Sequence, residues 1–131
     1  MRRALHHLDL WVDDLDRARA SWGWLLRELG WVPFQDWAGG QSWSHPDGTY
    51  LGLEQSPDLA PGGHDRRRAG LNHLALTADD RDSLDALRAA AEAHGWSELF
   101  ADRYPHAGGA GHTALFLEDD QGFEVEVVVP A

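Results

Sequence analysis

The chain has 131 residues, 43% of them hydrophobic, which suits one domain with a shared core better than two independent domains. Eleven basic against twenty-two acidic residues give a net charge of -11, which repels phosphate backbones and anionic lipid and argues against nucleic-acid or membrane partners; solubility is the plainest use of that charge. With no cysteine there can be no disulfide, thiolate metal site or cysteine nucleophile, so any metal must be held by imidazole and oxygen.

The basic tip Met1-Arg2-Arg3 has no apolar run behind it, and no later stretch has the length of a membrane span, so a soluble cytoplasmic protein is expected. From Leu5 to Val12 the residues alternate, with Leu8, Leu10 and Val12 on one face and His7, Asp9 and Trp11 on the other, as a half-buried strand requires. Asp13 or Asp14 then caps a helix in which Leu15, Ala18, Trp22, Leu25, Leu26 and Leu29 recur at helical spacing, and Gly30 stops it. Three short strands are expected near Phe34–Trp37, Gln41–His45 and Thr49–Glu54, separated by Gly39-Gly40 and by Pro46-Asp47-Gly48. The first module, residues 4–54, thus reads βαβββ.

Residues 55–69 are rich in proline, glycine and charge and read as a linker. The order then repeats over residues 70–129: a strand over Leu71–Thr77, a helix carrying Leu84, Leu87, Ala90 and Ala91 and stopped at Gly95, and strands near Ser97–Tyr104, His112–Glu118 and Phe123–Val129. The repeat is also literal. Leu5-His6-His7-Leu8-Asp9-Leu10 followed by Asp13-Asp14-Leu15-Asp16 returns as Leu71-Asn72-His73-Leu74-Ala75-Leu76 followed by Asp79-Asp80-Arg81-Asp82. The expected architecture is α+β, two tandem βαβββ modules in one domain, forming a curved mixed-sheet cup with the helices outside.

Alternation assigns faces. If Leu8, Leu10, Leu74 and Leu76 meet the helices, His7 and His73 face away from them. Phe123, Val125, Val127 and Val129 leave Glu124 and Glu126 opposite, and Leu51 and Leu53 leave Glu54 opposite. A lone strand histidine is usually structural and an outward glutamate usually solvated, but a histidine repeated on a repeated polar face is harder to explain by solvation. Two imidazoles, two carboxylates and room for water would suit a divalent first-row metal with positions open to a substrate.

These features resemble the vicinal oxygen chelate superfamily, which includes glyoxalase I, bleomycin-resistance proteins, extradiol dioxygenases and fosfomycin-resistance enzymes. The resemblance rests on the duplication, on the openings at His7 and His73, and on the ending Glu118-Asp119-Asp120-Gln121-Gly122-Phe123-Glu124-Val125-Glu126. It implies His7, Glu54, His73 and Glu126 as ligands of a divalent ion (Ni, Zn, Co, Mn or Fe), with Glu54 or Glu126 as a base moving a proton between neighbouring carbons. Glu126 lies four residues after Gly122 whereas Glu54 lies six after Gly48, and the position four after Gly48 is Gly52, so a three-ligand set of His7, His73 and Glu126 also stands. The leading function implied is a metal-dependent, glyoxalase-I-like lyase or isomerase on a small substrate. A non-catalytic antibiotic-binding protein and an extradiol-type dioxygenase are the alternatives, and a homodimer is implied by resemblance alone.

Around such a site Trp11, Trp43, His112 and Phe116 fall on the predicted cup side by alternation, and Trp37 is a further candidate to line it. Arg103, Tyr104 and His106 flank a glycine-rich loop and are candidate rim contacts, a role that ordinary loop polarity also explains. Arg66-Arg67-Arg68 could clamp an anion, although a solvated linker is the simpler reading.

Overall fold

The computed structural model describes residues 3–131, and the chain divides after Gly63, inside the expected linker, into two compact units. In the first unit β1 (His7–Trp11), α1 (Leu15–Glu28), β2 (Val32–Trp37), β3 (Gly40–Ser44) and β4 (Tyr50–Glu54) follow in order. In the second they are β5 (Leu74–Thr77), α2 (Arg81–Ala90), β6 (Trp96–Leu99), β7 (Thr113–Asp119) and β8 (Glu124–Val129). Each unit forms its own four-stranded mixed sheet, ordered β1-β4-β3-β2 and β5-β8-β7-β6, in which the first and last strands of the unit pair in parallel. The fold is therefore α+β, two tandem βαβββ units.

The helices form where the sequence requires. Asp14 is extended and its carboxylate accepts from the Arg17 backbone N–H, and Asp80 does the same for Ser83, so an acid satisfies an otherwise orphaned amide at each start. After α1 and after the 3-10 turn Ala91–His94 that extends α2, Gly30 and Gly95 take up φ of 87°, the left-handed conformation in which glycine carries no Cβ penalty. Each helix packs on one face of its own sheet. In the first unit Ala18, Trp22, Leu25 and Leu26 meet a sheet face carrying Leu10, Leu51 and Leu53, and in the second Leu84 and Leu87 are buried with Leu115, Leu117, Val125 and Val127.

Three expectations need correction. The strand foreseen over Ser97–Tyr104 ends at Leu99, because Phe100 turns to φ 57° and a 3-10 turn, Ala101–Arg103, follows. The strand foreseen from Leu71 starts only at Leu74. The linker is not wholly solvated: Arg66 lies 3.1 Å from the buried Glu124 carboxylate and 3.7 Å from Glu118, and His64 stacks flat on Phe123 at 4.2 Å, whereas Arg67 and Arg68 are exposed.

Candidate functional site

In the second unit, strand pairing brings together the residues that alternation placed on the face away from α2. Ala75 and Phe116 flank Glu126 on either side in register, and His73 immediately precedes β5 on the same face as Ala75. Glu126, only 7% exposed, sits between two imidazoles: His73 Nε2 lies 3.1 Å from one carboxylate oxygen, and His112 Nε2 contacts the other. Burying a carboxylate is costly unless it is paired, and these two contacts are its compensation. His112 is delivered by the long connection between β6 and β7, where the His106 ring bonds the His112 carbonyl oxygen at 3.2 Å and Gly108 makes room for the His112 ring.

Asn72 sets the orientation of His73. Its amide nitrogen donates to the Arg66 carbonyl at 3.0 Å, which turns its oxygen toward His73 Nδ1, 2.7 Å away. Nothing in composition or periodicity singled out Asn72; its place next to a repeated histidine was the one available signal. Phe116 stands beside His73, Phe100 meets Phe116 edge to face at 5.5 Å, and the Arg103 guanidinium lies 5.1 Å above the Phe100 ring. His73, Glu126, His112, Phe116 and Arg103 thus share one neighbourhood.

In the first unit the face away from α1 is aromatic. The His7 ring stacks on Tyr50 at 4.7 Å and 3°, Phe34 packs against Tyr50 at 5.5 Å, and Trp11 and Trp37 are large exposed side chains. His7 pairs in register with Tyr50, whereas Glu54 pairs with Trp11, at the far end of the same strands. The even offset of Glu54 preserved its facing but not its row. Row for row, the counterpart of the Ala75–Glu126 pair is Asp9–Gly52, and the counterpart of Glu54 is Val128.

Two expected site residues lie elsewhere. Trp43 is 1% exposed and pairs in register with Leu51, so it shares the helix-covered face, where its ring lies against Gly23 of α1. It is a core residue, and the alternation count failed because it was not anchored to the neighbouring strand. Tyr104 donates to the Asp85 carboxylate of α2 at 2.6 Å, with Arg88 4.1 Å and Arg81 5.4 Å from its ring. Burial first, and then the bond to Asp85, push its phenol up to about 12. Asp85 is held below the usual carboxylate range, chiefly by Arg81 and then by Tyr104. These residues line a cleft of about 560 Å³ beside α2, where Arg81 is matched by Asp85 and Arg88 by Glu98.

Among the described residues no three His, Asp or Glu side chains are pre-assembled around an open metal position. In the His73–Glu126–His112 group the carboxylate itself fills the space between the imidazoles. Among the described residues no helix is long and apolar enough to cross a membrane.

The sequence profile of the Glyoxalase/Bleomycin resistance protein/Dioxygenase superfamily matches residues 6–116. YqjT of Bacillus subtilis (strain 168), an uncharacterized protein, is 43% identical over 129 residues, covering 97% of this chain and 99% of its own. The crystal structure of a candidate glyoxalase from Bacillus halodurans superposes with a TM-score of 0.90 at 41% identity, covering 97% of this chain and 96% of that one. A glyoxalase/bleomycin resistance protein from Albidiferax ferrireducens T118, 20% identical, shares the fold at a TM-score of 0.78 over 98% of this chain and all of its own (100%). The chain, from its duplicated βαβββ topology to its profile, belongs to the glyoxalase/bleomycin resistance protein/dioxygenase superfamily.

Proposed function

We propose that the chain is a metal-dependent lyase or isomerase of the glyoxalase type, acting on a small substrate held through two neighbouring oxygens. The observation that carries this reading is the arrangement around Glu126. Asn72 holds the His73 ring through Nδ1, 2.7 Å from its amide oxygen, which leaves Nε2 facing a Glu126 carboxylate oxygen 3.1 Å away. A second imidazole, His112, meets the other oxygen of the same carboxylate. Two imidazoles and one carboxylate are a donor set that a divalent first-row ion accepts. His73 and Glu126 would hold it, and His7 is the corresponding residue of the first unit.

A bound ion would supply Lewis-acid stabilisation of negative charge developing on a substrate oxygen. The remaining work falls to the chain's own groups. Glu126 takes a proton from carbon next to a carbonyl and returns it to the adjacent carbon, and His112 holds that carboxylate in position. Phe116 and Phe100 supply an apolar wall, and Arg103 beside them suits the anionic end of a substrate. Elemental analysis after loading with divalent metal and extensive dialysis tests the reading. Stoichiometric metal in the wild type, lost in His73→Ala and Glu126→Ala, followed by turnover of 2-oxoaldehyde conjugates, is expected; wild-type protein that takes up no metal overturns it.

A second reading, a non-catalytic protein that sequesters a flat small molecule, is favoured by the exposed aromatic face of the first unit, where Tyr50 stacks on His7, Phe34 packs on Tyr50 and Trp11 lies farther along the same face. Tryptophan quenching by such a ligand, with no metal uptake and no turnover, is its signature. Either reading is compatible with a homodimer, which sedimentation would test.

A further inference from the structure

We infer that the first unit carries its own histidine–carboxylate pair for a divalent cation, His7 with Asp9, the acid having moved from the last strand of the unit to the first. The inference rests on the metal reading above and extends it to a ligand that repeat alignment does not select. In the second unit the first-strand residue of the relevant row is Ala75 and its last-strand partner is Glu126. In the first unit the same row holds Asp9 on β1 and Gly52 on β4. Each row has one acid and one residue too small to compete with it, with the strands exchanged. The rows beyond agree, since Leu10–Leu53 corresponds to Leu76–Val127 and Trp11–Glu54 to Thr77–Val128.

Gly52 is not there for its backbone. It has no positive φ, so any residue could adopt its conformation. What a side chain would meet is Asp9: a Cβ built at position 52 lies 2.7 Å from Asp9 Oδ1. The Asp9 carboxylate therefore leans across onto β4 and occupies the space in which a β4 side chain would begin. His7 lies on the same face, with its Nε2 4.0 Å from Asp9 Oδ2, too long for a hydrogen bond. Its ring is fixed by stacking on Tyr50, and its Nδ1 meets His6 at 2.9 Å, so Nε2 is the nitrogen turned toward the acid. An imidazole nitrogen and a carboxylate facing one another without a direct bond are a half-site for a divalent first-row ion.

The test is cobalt(II) titration of metal-free wild type, Asp9→Ala, Glu54→Gln, His73→Ala and the double variant Asp9→Ala/Gly52→Glu, read by visible absorption, with circular dichroism confirming that each is folded. Asp9→Ala should weaken cobalt binding by about tenfold or more and alter the ligand-field spectrum, whereas Glu54→Gln should stay within about twofold of wild type. The double variant should regain affinity, because a glutamate on β4 reaches the space that Asp9 vacates. Loss of binding in Glu54→Gln with Asp9→Ala unchanged overturns the inference. Loss in His73→Ala with Asp9→Ala unchanged also overturns it while leaving the metal reading intact, and a wild type that binds no cobalt defeats both.

Discussion

Row for row, the first unit sets His7, Tyr50 and Ser44 where the second sets His73, Glu124 and Glu118. One backbone plan thus carries an aromatic face in one unit and a charged face in the other. The difference extends to the loops. The connection between β2 and β3 is Ala38-Gly39 alone, whereas that between β6 and β7 runs from Phe100 to His112 and delivers the second imidazole to Glu126. A duplicated fold fixes where side chains begin; loop length and the identity of one residue per row decide what chemistry they perform.

The largest effect expected from breaking this comparison is inside the first unit. Trp43→Ala removes a fully buried indole packed against α1 and should cost about 3–5 kcal/mol in chemical denaturation. Trp11→Ala, on the opposite face and exposed, should stay within about 0.5 kcal/mol of wild type. Equal costs for the two would mean that the faces are wrongly assigned. The next effect belongs to the charged face of the second unit. Arg66→Met strands Glu124, 5% exposed, beside Glu118, and should cost about 2 kcal/mol, less than a wholly buried pair because Arg66 is itself partly solvated. Glu124→Gln in the same background should recover part of that loss, since it removes the uncompensated charge.

What the sequence made legible followed from periodicity. Period-two alternation around Leu8–Leu10, Leu74–Leu76 and Val125–Val127 put His7, His73 and Glu126 on the faces away from the helices, and the acid-then-apolar pattern at Asp13-Asp14 located the start of the first helix. What was not legible depended on register between strands, which no single strand encodes. Trp43 belongs to the core because it pairs with Leu51, and Glu54 shares a row with Trp11 rather than with His7. Arg66 looked like linker by composition, and only the fold brings the buried Glu124 to it. Tyr104 was equally hidden, because a loop can turn toward either face of its sheet.

The smallest effect expected comes from that loop, and it sharpens the contrast because the two-residue connection of the first unit has nothing to correspond. Tyr104 ties the loop to α2 through Asp85, and its phenol is pushed up to about 12, against an ordinary value of 10.0. The folded chain therefore keeps this proton where the unfolded chain has released it. Since the folded pKa is the higher, the stabilisation is complete below pH 10 and is lost as pH rises through 12. The difference in melting temperature between wild type and Tyr104→Phe should be positive and flat up to pH 10 and shrink above it. Absorbance of the phenolate should show the step missing from the variant near pH 12. A difference that shrank already between pH 7 and 9 would mean that Tyr104 does not donate to Asp85, and that the loop carrying His112 is anchored elsewhere.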